Sequence, residues 1–212
     1  MNNFLKEWDG DSDTFKLRGI HLHRAPPVKQ QLSSAIYRIR VQQNKLESTS
    51  MRMQQHDKEI FSKCVSAQMT HDTARAAMYA NECAEVRKIA KVTLQSQLAL
   101  EQVSIRLETI EEFGDVARMM GPVTSVVRSV KSQISGVIPE VGFELNEVGE
   151  MLNSFVAEAG EPISESYDVQ ASNEEAQRIM GEANAIADQH IREKFPDLPQ
   201  SGSQRLGESL SH

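Results

Sequence analysis

Asp9, Asp11 and Asp13, in DGDSD, have the spacing of the opening ligands of a calcium loop. Such a loop also needs Gly at its sixth position and Glu at its twelfth. Thr14 and Ile20 stand there instead, so the stretch reads as a solvated acidic linker. His21 and His23 are close enough to share a metal ion, but no carboxylate or third imidazole follows at a helpful spacing. His71-Asp72 on a helical stretch is the arrangement of a phosphoacceptor histidine, with no nucleotide-binding half after it. Cys64 and Cys83 lie nineteen residues apart without a CxxC, and read as two reduced thiols of a cytoplasmic protein. Phosphate loops, nucleophile elbows, zinc-protease helices and dinucleotide fingerprints are all missing. The expectation is no catalytic residue, no metal and no cofactor: this is not an enzyme.

Two stretches suit recognition. MNNFLKEWD sets Phe4, Leu5 and Trp8 on one side of a short helix, at i, i+1 and i+4. Each would contribute roughly 1.5–3 kcal/mol if fully buried in a lipid interface. Nearby cations add about 1 kcal/mol apiece at an anionic leaflet. The candidate membrane-binding set is therefore Phe4, Leu5, Trp8, Arg18, Arg24, Lys29, Arg38, Arg40 and Lys45. The alternative is that the three apolar residues clip onto their own chain. At the other end, KFPDLPQ brackets one leucine with two prolines and cannot be helix. Proline fixes an extended backbone in advance, which lowers the cost of ordering the strip in a partner's groove. A plain helix stop is the alternative.

The elements that position these stretches are long. From Val28 to Phe113 there is neither Gly nor Pro, while Pro26-Pro27 and Gly114 stand at the two ends. Leu32, Ile39, Leu46, Met53, Ile60 and Ala67 recur every seven residues. Val86, Ile89, Thr93, Ser96, Leu100, Val103, Leu107 and Ile110 alternate spacings of three and four. Both are seams of helices packed lengthwise. One uninterrupted helix would extend on the order of 130 Å, so a turn is expected near His71. Thr70 or Asp72 would cap the second helix, and Ala74, Ala76, Ala77 and Ala80 would admit a close backbone. The companion positions Ile36, Gln43, Ser50, Asp57 and Cys64 narrow the apolar stripe in the middle of the first helix, so much of that helix is expected to face water, lipid headgroups or other subunits.

After Gly114, Gly121-Pro122, Gly136 with Pro139, and Gly160 with Pro162 cut the chain into shorter pieces. Val123, Val126, Val127, Val130 and Ile134 form one stripe, and Val141, Leu145, Val148, Leu152 and Phe155 another. SNEE reads as a capping box, with Ser172 as N-cap and Glu175 at N3, opening a last helix that stops at Phe195-Pro196. The fold class is all-α: a long antiparallel hairpin, shorter amphipathic helices and an acidic C-terminal helix. The expected divisions are 1–27, a membrane-contact segment and linker; 28–170, a helical core with its hairpin at about 28–113 and short helices at about 115–160; and 171–212, the acidic helix, the proline strip and a tail.

Charge is split along the chain. Lys16 to Arg106 holds 15 Lys and Arg against 7 Asp and Glu, whereas Leu107 to Lys194 holds 6 against 17. One half attracts anionic surfaces and the other competes for it. The cations are scattered with few aromatics among them, which argues against sequence-specific nucleic-acid readout. No stretch approaches the eighteen apolar residues of a membrane span, so membrane contact is expected to be peripheral.

This layout resembles the ESCRT-III family, most specifically across HDTARAAMYANECAEVRKIAKVTLQSQLALEQVSIRLETI, which is similar to the second helix of the charged multivesicular body proteins and their archaeal cell-division relatives. The resemblance covers roughly Val28 to Pro199. It implies a cytoplasmic, peripheral-membrane subunit at a division site or membrane neck. Such subunits form homo- or hetero-polymers with paralogues on anionic membranes, help to cut the neck, and are taken apart by an AAA ATPase. It also implies autoinhibition, with Glu174, Glu175, Glu182 and Asp188 of the acidic helix brought back to the basic half. Phe195-Pro196-Asp197-Leu198-Pro199 is similar to the type-2 MIT-interacting motif, so Phe195, Pro196, Leu198 and Pro199 would face the ATPase's MIT domain.

One departure stands at the C-terminus. QRLGESLSH begins like the helical RLxxL motif of relatives, but Leu210 comes one residue late and Gly207 breaks the helix. That motif is not carried over, and no winged-helix domain is expected after Pro199. Two rival readings share the hairpin: a phage-shock-type membrane-coating scaffold, which needs no proline strip, and a coiled-coil adaptor that never meets lipid.

Overall fold

The computed structural model describes residues 28–113, 116–158 and 166–198. Phe4, Leu5, Trp8, Arg18, Arg24, Pro199, the DGDSD stretch, His21, His23 and the QRLGESLSH tail lie outside the described residues. Within them the chain is all-α, with five helices and no strand. These are α1 (Val28–Met69), α2 (Thr73–Phe113), α3 (Val116–Ile134), α4 (Pro139–Glu158) and α5 (Ser166–Lys194). The chain divides into two compact units. One takes residues through Gln43 together with Ala99–Gly181, and the other takes Asn44–Leu98 with the chain from Glu182 onward.

In the first unit the early part of α1 and the late part of α2 run antiparallel. Gln43 donates to Ser104 Oγ at 3.0 Å, Arg40 meets Glu108 at 2.7 Å, and Ser33 donates to Glu111. Leu32, Ile39, Leu100, Val103, Leu107 and Ile110 close the seam between them. The two later stripes, Val123 to Ile134 on α3 and Val141 to Phe155 on α4, are buried throughout. Each large side chain of these stripes contributes roughly 1.5–3 kcal/mol by its burial. The α3–α4 link needs Gly142, because a Cβ there would collide with Ser135. Pro139 starts α4, where its missing N–H costs nothing.

Two expectations fail here. Gly121-Pro122 does not cut the chain, since α3 runs through Pro122. Val123, Val126, Val127 and Val130 are buried as one helical face, and that burial outweighs the single backbone bond a proline removes. Ser172 is not an N-cap, because α5 begins six residues earlier at Ser166 and Ser172 lies inside it.

In the second unit the seam turns at the hairpin tip. α1 ends in a Schellman arrangement: Asp72 N donates to Ala67 O at 2.9 Å and His71 N to Gln68 O at 2.9 Å. His71 takes the left-handed position with φ 59°, a conformation in which histidine is among the tolerated side chains. Asp72 then caps α2, its Oδ1 accepting from Arg75 N at 3.1 Å. Thr70 points back instead, donating to Ser66 and Ala67 carbonyls. Of the four alanines expected to line the approach, Ala76 is the buried one, and Cys64 Sγ lies 3.3 Å from its carbonyl oxygen.

The narrowed stripe of α1 is not left to the outside. Ser50, Asp57 and Cys64 are all buried. Asp57 fits because Arg87 of α2 neutralises it, a compensation that residue type alone hides.

Candidate functional site

The site with the most chemistry lies in the second unit, where α1, α2 and the end of α5 meet. Asp57 is 1% exposed in its side chain and Arg87 14%, so both charges have left bulk water. Their contact is bidentate: Arg87 Nε donates to Asp57 Oδ1 at 2.7 Å and an Nη to Oδ2 at 3.1 Å. Such a fork–fork pair is strong and directional. Two rings border the guanidinium, with Phe61 6.0 Å and Phe195 5.5 Å from ring centroid to Cζ. Both distances suit cation–π attraction.

Phe195 arrives by a defined route. Its N–H closes the final turn of α5 on Ile191 O at 3.0 Å, after which the proline strip leaves the helix. Phe195 is 6% exposed. Leu198, three residues on, packs against the cluster of Ile60, Cys83 and Val86, which Met53, Phe61 and Tyr79 also border. Pro196 and Asp197 remain exposed. The strip thus turns its two apolar anchors onto the hairpin and its proline and acid outward.

Cys83 sits beneath this corner, its thiol 4.0 Å from Asp57 O. Burial, and next the Asp57 carboxylate, push its pKa up from 9.0 to about 11. It is a protonated, unreactive thiol at neutral pH.

The acidic residues of α5 divide between the units. In the first, Glu175 pairs with Arg106 of α2 at 2.7 Å. In the second, Asp188 pairs with Lys91 of α2 at 2.6 Å. Glu174 and Glu182 are on the exposed side of α5. Of the expected membrane-facing cations, Arg38 is held by Glu147 at 2.7 Å and Glu144 at 3.9 Å, both from α4, and Arg40 by Glu108 of α2. Lys29 is exposed and Lys45 half-buried. Arg38 and Arg40 are therefore neutralised by α4 and α2, and Lys91 and Arg106 of α2 by α5. Each such pair near the surface is worth at most about 1 kcal/mol.

His71 and Asp72 have structural duties, one in the turn and one as a cap. Among the described residues no helix is long and apolar enough to cross a membrane. Sequence reasoning missed Arg87 and Phe61. The available signal was an acid in the α1 seam, which calls for a cation on the facing helix.

Comparison with known proteins gives a consistent result. The Snf7 family profile matches residues 34–206. The chain is 46% identical over 200 residues to Cell division protein B1 of Sulfolobus acidocaldarius, covering 94% of this chain and 91% of that one. It is 30% identical over 187 residues to Cell division protein B of the same organism, covering 88% of this chain and 69% of that one. No solved structure gives a significant match.

Proposed function

The chain belongs to the Snf7, or ESCRT-III, family, and from that membership we propose that it is a filament subunit that remodels membranes during cell division. It works as a structural polymer and carries no catalysis of its own. It assembles with itself or with paralogues on anionic membrane, and an AAA ATPase takes the polymer apart after docking its MIT domain on the strip that holds Phe195, Pro196, Leu198 and Pro199. Phe4, Leu5 and Trp8, with the cations of the N-terminal half, supply the membrane contact.

The observation that carries this reading is the placement of α5. Glu175 on Arg106 and Asp188 on Lys91 put acids of the last helix directly on cations of α2. A surface that must stay silent until it meets lipid or a sister subunit needs such a cover, and weak pairs make the cover displaceable. On this reading residues 1–27 serve as membrane contact, 28–170 as polymerising core and 171–212 as regulatory tail.

The test uses full-length chain with Glu175→Lys and Asp188→Lys, sedimented with phosphatidylserine vesicles at low and high salt. Expected is a larger pelleted fraction than wild type at low salt, falling at 0.5 M where screening shortens to a few ångströms, with filaments visible by electron microscopy. A double variant that stays in the supernatant at both salts would return the chain to a coiled-coil adaptor.

A further inference from the structure

The proline strip has an occupation within its own chain. Phe195 and Leu198 are the two anchors that a partner's groove would take, and both are already seated on the hairpin of the second unit. Phe195 lies 5.5 Å from the Arg87 guanidinium carbon and Leu198 on the cluster of Ile60, Cys83 and Val86. Arg87 is the same side chain that neutralises buried Asp57. We propose that the hairpin carries a receptor site for its own apolar–Pro–x–apolar strip, read by Arg87, and that the docked strip is the lid which keeps water from the Asp57–Arg87 pair.

The physical case rests on the type of contact. An arginine already forked onto a carboxylate keeps its planar face free for an aromatic ring, so one residue serves both partners without competition. The ring in turn keeps solvent off a charge pair whose attraction depends on a dry surrounding. Occupancy of the site and integrity of the hairpin at residues 57–87 are therefore coupled. A partner presenting an apolar groove must first draw Phe195 and Leu198 off the hairpin. In doing so it wets the buried pair and loosens the two long helices where they cross it. That consequence rests on the reading of the strip as a recruiting motif, whereas the receptor site stands on the contacts alone.

Two measurements on the full chain test it, and neither contains a partner. Trypsin cutting at Lys194–Phe195 reports release of the strip. Arg87→Lys keeps the cation facing Asp57 but removes the planar face, and it is expected to raise that cleavage at least fivefold. Cleavage at Lys131–Ser132, in the first unit, should move less than twofold. Unchanged cleavage at Lys194–Phe195, or an equal rise at both bonds, overturns the proposal. The reciprocal measurement is amide hydrogen exchange in Phe195→Ala/Leu198→Ala. Residues 57–61 and 83–87 are expected to exchange at least threefold faster, with residues 99–110 unmoved. Exchange at 57–61 and 83–87 equal to wild type shows that the strip is no lid. If these arms fail while a 190–203 peptide still binds the ATPase's MIT domain, recruitment stands and the lid falls; the reverse result does the opposite.

Discussion

Asp57 and Arg87 reach across the hairpin to form a two-point ion pair at 2.7 and 3.1 Å, with the carboxylate almost fully withdrawn from water. Two helices of forty residues can slide past one another by a turn at modest cost when their seam is uniformly aliphatic. A charge pair that is satisfied in a single alignment removes that freedom, because any other register buries a lone charge. In this chain the pair fixes the register of α1 against α2 beside the place where the proline strip returns.

Removing one partner should therefore cost far more than removing both. Asp57→Ala leaves Arg87 uncompensated and is expected to destabilise the chain by about 3–5 kcal/mol. Replacing the two together, Asp57→Leu with Arg87→Met, should recover most of that loss. Urea unfolding of the three variants checks it. A single variant that unfolds with the wild-type midpoint would remove the pair from the list of stabilising features.

Cys83 predicts a dependence on alkaline pH. Its thiol is held near 11 in the folded chain against an ordinary 9.0, so the folded state keeps a proton that the unfolded state releases between those values. Stability from this group is complete below pH 9 and declines as pH rises towards 11. Thermal unfolding followed from pH 8 to 10.5 should show a steeper fall for wild type than for Cys83→Ala. Equal slopes would mean that the thiol is wetter than its surroundings indicate.

His71 holds a left-handed backbone at the hairpin tip, with φ 59°. His71→Gly relieves the Cβ contact of that conformation and should stabilise by up to about 1 kcal/mol, while His71→Val should destabilise by about 1–2 kcal/mol. A chemical role for the imidazole would instead leave both variants equally inactive in vesicle binding, whatever their melting temperatures.

How much of this was legible depended on whether a residue's environment was local. The stripes of α3 and α4 were read correctly because one amphipathic helix shows which side must be buried. The turn near His71 and the cap at Asp72 are legible because a carboxylate before a helical run has one obvious use. Pro122 misled because a breaker's effect is set against the packing of the helix around it, which depends on distant chain. Asp57 is the same case: its polarity narrows the apolar stripe in plain view of the sequence, whereas the facing Arg87 that lets it be buried does not show. The proline strip was found by its own pattern, but its seat on Phe61 and Arg87 joins residues more than a hundred positions apart. No spacing rule reaches that far.

Leu198→Asp separates the strip's two uses. An isolated 190–203 peptide with this change should lose binding to the ATPase's MIT domain by at least tenfold, since a charged side chain cannot fill an apolar pocket without a large desolvation cost. In the full chain the same change also removes Leu198 from the cluster of Ile60, Cys83 and Val86. There it should speed tryptic cutting at Lys194–Phe195, because one of the two anchors no longer holds. Assembly on vesicles should persist, as Leu198 belongs to neither the α3 nor the α4 stripe. Should the variant peptide bind the MIT domain as well as wild type, Phe195-Pro196-Asp197-Leu198 is only the end of a helix. Should cleavage in the full chain stay at the wild-type rate, Phe195 on Arg87 suffices to hold the strip by itself.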